Sequence, residues 1–358
     1  MRFLACGGWS QGVVMNFMSD NASGVAPEIM SAMAAANDGS IRGYGDDVYT
    51  QRAGGRLSEV FERELSVFLV ATGTAANALN LAAITKPHGA IFVHEMAHVH
   101  CDECGAPEFF THGAKLLPLA GENGKLTPGA IEKGLQDFPQ GIVHHPQAQA
   151  ISLSQVTECG TVYSLAEIEA LSSVAKSHKL RVHMDGARFA NALDSLGCTP
   201  AEMTWKAGVD VLSFGATKNG AMGVEAVILF DEALAADLPF MRKRSGQLLS
   251  KGRFLGAQME AYLKEGLWLG MAAHANKMAA LLAEGIENLP GGRLRYPVQA
   301  NQVFAVLPKP AHKALMAAGA GYYPWGREPD GVSIRLVTSF NTREEDVAQF
   351  LSLAVNAA

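Results

Sequence analysis

Leu180-Arg181-Val182-His183-Met184-Asp185-Gly186-Ala187-Arg188 decides the fold. An apolar run over 180–184 ends on a carboxylate and a glycine, and a helix-like stretch follows. That is a buried strand feeding a strand-to-helix turn, with the charge placed at the strand's carboxyl end. The unit recurs on both sides. Downstream, 209–214 runs into Phe214-Gly215-Ala216-Thr217-Lys218-Asn219-Gly220, and 224–230 is another apolar run. Upstream, 67–71 leads into Thr72-Gly73-Thr74-Ala75-Ala76-Asn77 and an Ala/Leu-rich helix ending near residue 84. Further strands are predicted at 90–93, at 114–119 with a break at Pro118, and at 150–153. Helices are predicted at 57–65, from Thr127-Pro128 onward, and from a capping box at Ser164 and Glu167.

Strands alternating with helices predict an α/β fold with a mostly parallel sheet of seven strands. After residue 230 the pattern becomes mainly helical, then mixed, and a capping box at Thr342 and Glu345 opens the last helix. We expect an N-terminal extension over 1–15, a large domain over 16–245 and a smaller α+β domain over 246–358. In such sheets ligands bind at the carboxyl ends of the strands.

Composition excludes several classes. The 358 residues are 48% hydrophobic and 18% charged, with a net charge of −6, so the chain has material for a core and no basic excess for nucleic acid. No apolar run reaches the roughly 20 residues that span a bilayer. Five scattered cysteines (Cys6, Cys101, Cys104, Cys159, Cys198) do not make a disulfide scaffold. The N-terminal stretch lacks the pattern of a secretory signal, so the expected location is the cytoplasm.

Three loops after strands carry the chemistry. Gly73 and Thr74 at a helix start offer free N–H groups and the positive dipole end, which suits a phosphate. Asp185 at a strand end is either a helix cap or an acid facing the crevice. Lys218 sits in a small-residue loop with room for a bulky group; alone it would read as a solvated turn residue. Together they match the needs of pyridoxal 5′-phosphate: a cradle for the phosphate, a carboxylate for the pyridinium nitrogen and a Schiff-base lysine.

The motifs SDNASG (19–24), YGDD (44–47), GTAAN (73–77), AHVHCDECGAPEFF (97–110), HMDGARF (183–189), FGATKNG (214–220) and IRLVTSF (334–340) then carry a resemblance. In this combination and order the chain resembles the PLP-dependent threonine aldolases of the aspartate-aminotransferase fold (fold type I), within the β-eliminating lyase group. The resemblance implies retro-aldol cleavage of L-threonine, L-allo-threonine and relatives such as phenylserine to glycine and an aldehyde. It implies Lys218 as the Schiff-base lysine, Asp185 as the pyridinium partner and Gly73 and Thr74 at the phosphate. His98 would stack on the ring and help the hydroxyl proton move. Arg188, Arg335 and Ser19 would hold the substrate carboxylate. A looser alignment adds Lys251 or Arg253 at the phosphate. Tyr44 would enter the site of a neighbouring subunit in a homo-oligomer, a dimer of dimers.

The chain departs from many relatives at Glu158, where they carry a histidine that contacts the substrate hydroxyl. The base is therefore His98, Glu158 or a held water. Besides a catalytically silent binding protein on this fold, which the intact set of Lys218, Asp185 and the phosphate loop argues against, two rival readings remain at this stage. One is another PLP reaction on the same scaffold, such as β-elimination. The other is a zinc hydrolase through His94-Glu95-Met96-Ala97-His98, which requires both histidines on one face of a helix. The run over 90–93 is strand-like, which places His94 at a strand end and disfavours the zinc reading.

Overall fold

A computed structural model describes residues 15–358. Seven strands form the central sheet: β1 (Ser66–Val70), β2 (Gly89–His94), β3 (Lys115–Leu119), β4 (Gln147–Ser154), β5 (Arg181–Gly186), β6 (Val211–Gly215) and β7 (Glu225–Leu229). Their spatial order is β1-β7-β6-β5-β4-β2-β3. Only β7 runs against the others, pairing antiparallel with both β1 and β6. The inner strands are buried over most of their length, as parallel strands with both faces covered must be. All seven fall on the expected segments. Pro118 does not break its strand; β3 is an edge, where a missing N–H interrupts no ladder.

Two helix expectations need correction. The helix expected at 57–65 is instead α1 (Val48–Val60). Asp47 caps it by accepting the Thr50 N–H at 2.9 Å, and Glu62, at φ +59°, stops it before β1. The capping box at Thr342 does not form. Arg343 occupies the cap position of the last helix (Glu344–Ala357), while the Thr342 hydroxyl accepts the Ser339 N–H at 2.8 Å. The box at Ser164 and Glu167 and the Thr127 cap are present.

An aromatic cluster packs several helices against the end of β6. Phe61, Phe189 and Phe214 meet pairwise with ring centroids 5.5–5.9 Å apart, and Phe214 also touches Tyr262 and Trp268. Such pairs add about 0.5–1.5 kcal/mol each beyond their buried area. Phe214 precedes Lys218 by four residues, so this cluster anchors the lysine loop.

A second core lies under an antiparallel sheet of β8 (Arg293–Leu294), β9 (Gln302–Leu307), β10 (Tyr323–Glu328) and β11 (Gly331–Val337), ordered β10-β11-β9-β8. The helix Leu267–Glu287 serves both cores: Trp268 and Met271 join the first, and Met278, Leu282 and Ile286 the second. Met15 and Phe17 are buried in the second core, and Met15–Asn16 pairs with Ala320–Gly321. The remainder of the expected extension, residues 1–14, lies outside the described residues. Among the described residues no helix is long and apolar enough to cross a membrane.

Candidate active site

The carboxyl ends of β1, β5 and β6 open onto one crevice, with the start of the second sheet beside it. Asp185 is buried at the end of β5. Its Oδ1 accepts the Ala187 N–H at 3.0 Å and its Oδ2 accepts the Asn77 side-chain amide at 2.9 Å. Asp185 is registered against Ser213 on β6, so the short loop after β6 brings Lys218 into the same space. The two strands can turn this closely because Gly215 has no side chain: a Cβ there would lie 2.7–2.8 Å from the Ala187 backbone.

Lys218 sits in a single turn, Thr217–Asn219. Asn219 locks it by donating to the Tyr262 hydroxyl (2.9 Å) and the Trp268 carbonyl (2.8 Å). Gly220, at φ +99°, closes the turn, and its carbonyl accepts the Ala26 N–H at 2.8 Å. Burial pushes the Lys218 ammonium below the ordinary lysine range, and Arg188 pushes it the same way. Asp20, Asp185 and Glu225 oppose them. An amine biased toward neutrality is a nucleophile. Behind it, buried Glu225 accepts the Ala216 N–H at 3.0 Å, and burial raises its carboxyl pKa to about 7.

The phosphate-type cradle is the start of α2 (Gly73–Ile84). Thr72 caps it by accepting the Ala75 N–H at 3.2 Å, and the Ala76 N–H goes to the Thr72 carbonyl. The N–H groups of Gly73 and Thr74 are left for an anion. A Cβ added at Gly73 would meet nothing within 4 Å, so the approach is open.

The same helix delivers Asn77 to Asp185, and Asn77 also donates to Glu103 Oε1 at 2.8 Å. Glu103 Oε1 is in turn 2.8 Å from His98 Nδ1. That hydrogen bond raises the His98 pKa, with Asp185 adding to the rise; burial and Lys218 oppose it. The His98 backbone N–H donates to Glu158 Oε1 at 2.7 Å, and the Ser154 hydroxyl donates to the same oxygen at 2.8 Å. Burial raises the Glu158 carboxyl above its usual range, and Glu158 Oε2 is buried without a partner among the described residues.

The anion-binding side is built on Asp20. Arg188 forks onto it through Nε (2.7 Å) and Nη2 (3.0 Å), and Asn301 adds a third donor at 3.0 Å. Burial alone would raise the Asp20 pKa, but Arg188 and Lys218 hold it below the carboxylate range. Arg335, on β11, donates to Gln302 Oε1 at 3.0 Å and stacks on Trp325 and Phe304. Burial, helped by the charge of Arg188, lowers its pKa to about 10. The Ser19 hydroxyl caps the adjoining turn, accepting the Asn21 N–H at 3.1 Å.

Several expected residues lie elsewhere. Lys251 is exposed and has no hydrogen bond or ion pair to this cluster. Arg253 holds the carbonyls of Ala36, Asp38 and Gly39 (2.9–3.3 Å) and so closes the end of a helix. Tyr44, at φ +60°, is 57% exposed, and its ring is capped by Lys243. The zinc reading fails on geometry. His94 ends β2, and its ring is held by the Gly121 carbonyl (3.0 Å) and the Met96 N–H (3.1 Å), whereas His98 begins the next helix, His98–Cys101. Residue-level reading missed Asp20, Asn77, Glu103, Asn301 and Glu225. Asp20, Asn77 and Glu103 lie inside quoted motifs, but nothing local marks their partners.

The residues present fit pyridoxal 5′-phosphate. An open helix start can take the phosphate, a buried carboxylate can take the ring nitrogen, and a depressed lysine amine can take the aldehyde carbon. Unpaired buried oxygens on Asn77, Glu103 and Glu158 line the same region.

This architecture, a 3-2-4-5-6-7-1 sheet with a lysine after β6, is the PLP-dependent transferase-like fold of type I. The chain belongs to the beta-eliminating lyase family, whose model matches residues 16–309. It is 46% identical to the low specificity L-threonine aldolase of Pseudomonas aeruginosa over 95% of this chain and 98% of that one. It is 44% identical to the low specificity L-threonine aldolase of a Pseudomonas species, over 93% and 95%. The solved threonine aldolase of Leishmania major superposes with a TM-score of 0.90 at 32% identity, covering 96% of this chain and 99% of that one.

Proposed function

We propose that this chain is a PLP-dependent lyase that cleaves L-threonine, L-allo-threonine and related β-hydroxy-α-amino acids to glycine and an aldehyde. One observation carries the reading: Asp185 and Lys218 face one crevice from neighbouring strands, beside an open helix start. Lys218 would tether the cofactor, Asp185 would face its ring nitrogen and favour the protonated form, and Gly73 and Thr74 would hold the phosphate. When bound, the cofactor supplies an electron sink for the pair released as the Cα–Cβ bond breaks.

The remaining work falls to the chain's own residues. Arg335 binds the substrate carboxylate, assisted by Ser19 and by the Nη1 edge of Arg188 that Asp20 leaves unused. A clamped carboxylate fixes the orientation of the substrate's Cα bonds in the crevice and so selects the bond that reacts. His98 would pack against the bound cofactor and accepts the β-hydroxyl proton; Glu158 steadies the His98 backbone and offers Oε2 as a second acceptor. The hydroxyl loses its proton, Cα gains one, and glycine and the aldehyde leave.

We further infer a homo-oligomer, a dimer of dimers in which Tyr44 and Lys251 act on a neighbour's site. Their exposure within one chain supports this. The free thiols Cys101, Cys104, Cys159 and Cys198 suit a cytoplasmic enzyme. The test is direct. Purified protein should absorb near ~420 nm, lose that band on Lys218→Ala, and release acetaldehyde and glycine from L-threonine. Release of ammonia and a keto acid in their place would make the chain a β-eliminating enzyme.

A further inference from the structure

Glu103 is buried, with a rounded exposure of 4%, and its Oε1 accepts from two sides: the His98 ring and the Asn77 amide, each at 2.8 Å. The same Asn77 nitrogen reaches Asp185 Oδ2 at 2.9 Å. An amide NH₂ has two hydrogens, and here each faces one carboxylate. Turning the amide over would set its oxygen against both carboxylates, so this orientation is enforced.

A carboxylate on Nδ1 has a definite consequence for the imidazole. It requires a proton on Nδ1, so in the neutral ring Nε2 is the bare nitrogen. Its negative charge also favours the protonated ring, which makes Nε2 a stronger base. We propose that Glu103 is a positioning residue that fixes which nitrogen of His98 accepts the substrate proton and, through Asn77, joins that base to Asp185 in one hydrogen-bonded unit. This inference rests on the function proposed above. Three groups besides Glu103 bear on His98: Asp185 favours its charge, Lys218 opposes it, as does burial, and Glu158 binds its backbone N–H.

The experiment is a pH titration of histidine-labelled holoenzyme by nitrogen NMR, with His98 assigned from the spectrum of His98→Asn. In the wild type, neutral His98 should carry its proton on Nδ1. In Glu103→Gln, which keeps the shape and removes the charge, the His98 midpoint should fall by ~1 unit. The acid limb of kcat/KM should move to lower pH by the same amount, with KM little changed. Glu103→Asp should restore part of the shift. An unmoved midpoint in Glu103→Gln, or a wild-type His98 protonated on Nε2, overturns the proposal. The wild-type tautomer needs no variant to fold. A protein with no visible band and no aldehyde product would instead sink the functional reading, leaving the His98 titration still interpretable.

Discussion

Arg188 Nε lies 2.7 Å from Asp20 Oδ2 and Nη2 lies 3.0 Å from Oδ1, so a guanidinium suited to a substrate carboxylate is already forked onto one of the protein's own. Both side chains are shielded from solvent, with side-chain exposures of 11% and 1%. The pair links residue 20, ahead of the large sheet, to the turn after β5, and Asn301 extends it to the second core. Arg188 thus holds the crevice in shape, and Arg335, whose fork meets no carboxylate among the described residues, is the freer cation.

Removing one partner of this pair should destabilise strongly, because it strands the other charge in the interior. Asp20→Ala and Arg188→Ala should each lower the unfolding free energy by about 3–5 kcal/mol, and the double variant by clearly less than their sum. Urea unfolding measures it. Losses under about 1 kcal/mol would show that solvent reaches the pair.

Arg335 should act on substrate affinity. Arg335→Ala should raise KM for L-threonine roughly ten- to hundred-fold, the cost of a charge-assisted fork. Arg335→Lys should recover only part of it, since an ammonium keeps the charge and loses both the planar fork and the stacking on Trp325. An amino alcohol lacking the carboxylate should bind equally to all three proteins; discrimination among them would contradict the assignment.

Asn77 bridges two carboxylates as a neutral double donor, so its lack of charge matters more than its size. Asn77→Asp would place a third carboxylate between Asp185 and Glu103, and like charges this close disfavour ionisation of all three. The expected outcome is a weakened grip on the ring nitrogen. The variant should lose cofactor on dialysis at least tenfold faster than Asn77→Ser, followed by absorbance; equal retention would remove Asn77 from the network.

His183 predicts an acid-side loss of stability. It is wholly buried between the Ser152 and Ser213 hydroxyls, at 2.8 and 3.0 Å, and burial lowers its pKa from 6.5 to about 4. Above pH 6.5 both folded and unfolded states leave it neutral, and its contribution is complete. As pH falls from 6.5 toward 4 the unfolded chain binds a proton that the native state refuses, so stability drops, by at most ~3 kcal/mol. In His183→Gln this part of the decline should vanish. Urea midpoints between pH 7 and 4.5 compare the two proteins, and parallel curves would refute the account.

Tyr44 should act across subunits. Tyr44→Ala should leave unfolding within about 0.5 kcal/mol of the wild type, because the side chain is exposed, yet lower activity. Mixed oligomers of Tyr44→Ala and Lys218→Ala should regain activity that neither has alone. No recovery in co-expressed protein would place Tyr44 outside its neighbour's site.

Much of this architecture was legible along the chain. The seven strands announced themselves as short apolar runs, and the ends of three of them led into Thr72–Asn77, Asp185 and Lys218. Where local reading erred, tertiary context was responsible. The apolar spacing of Leu57 and Leu65 looked like one helix, but Leu65 belongs to the lead-in of β1. Thr342 had a capping sequence, yet its hydroxyl bonds Ser339. Pro118 read as a break only because strand order, and hence its place at an edge, is invisible in one dimension.

The chemistry of the site was carried by residue type and local spacing: an amine, a carboxylate and an open helix start, each at the end of its own strand. Their partners were decided in three dimensions. Asn77 meets Asp185 across 108 positions, Asp20 meets Arg188 across 168, and Asn301 meets Asp20 across 281. Periodicity and capping act over a few residues, because helices and strands are short-range structures. Which side chains finally touch depends on strand order and on how the second core closes over the first, and those follow from the packing of the whole chain.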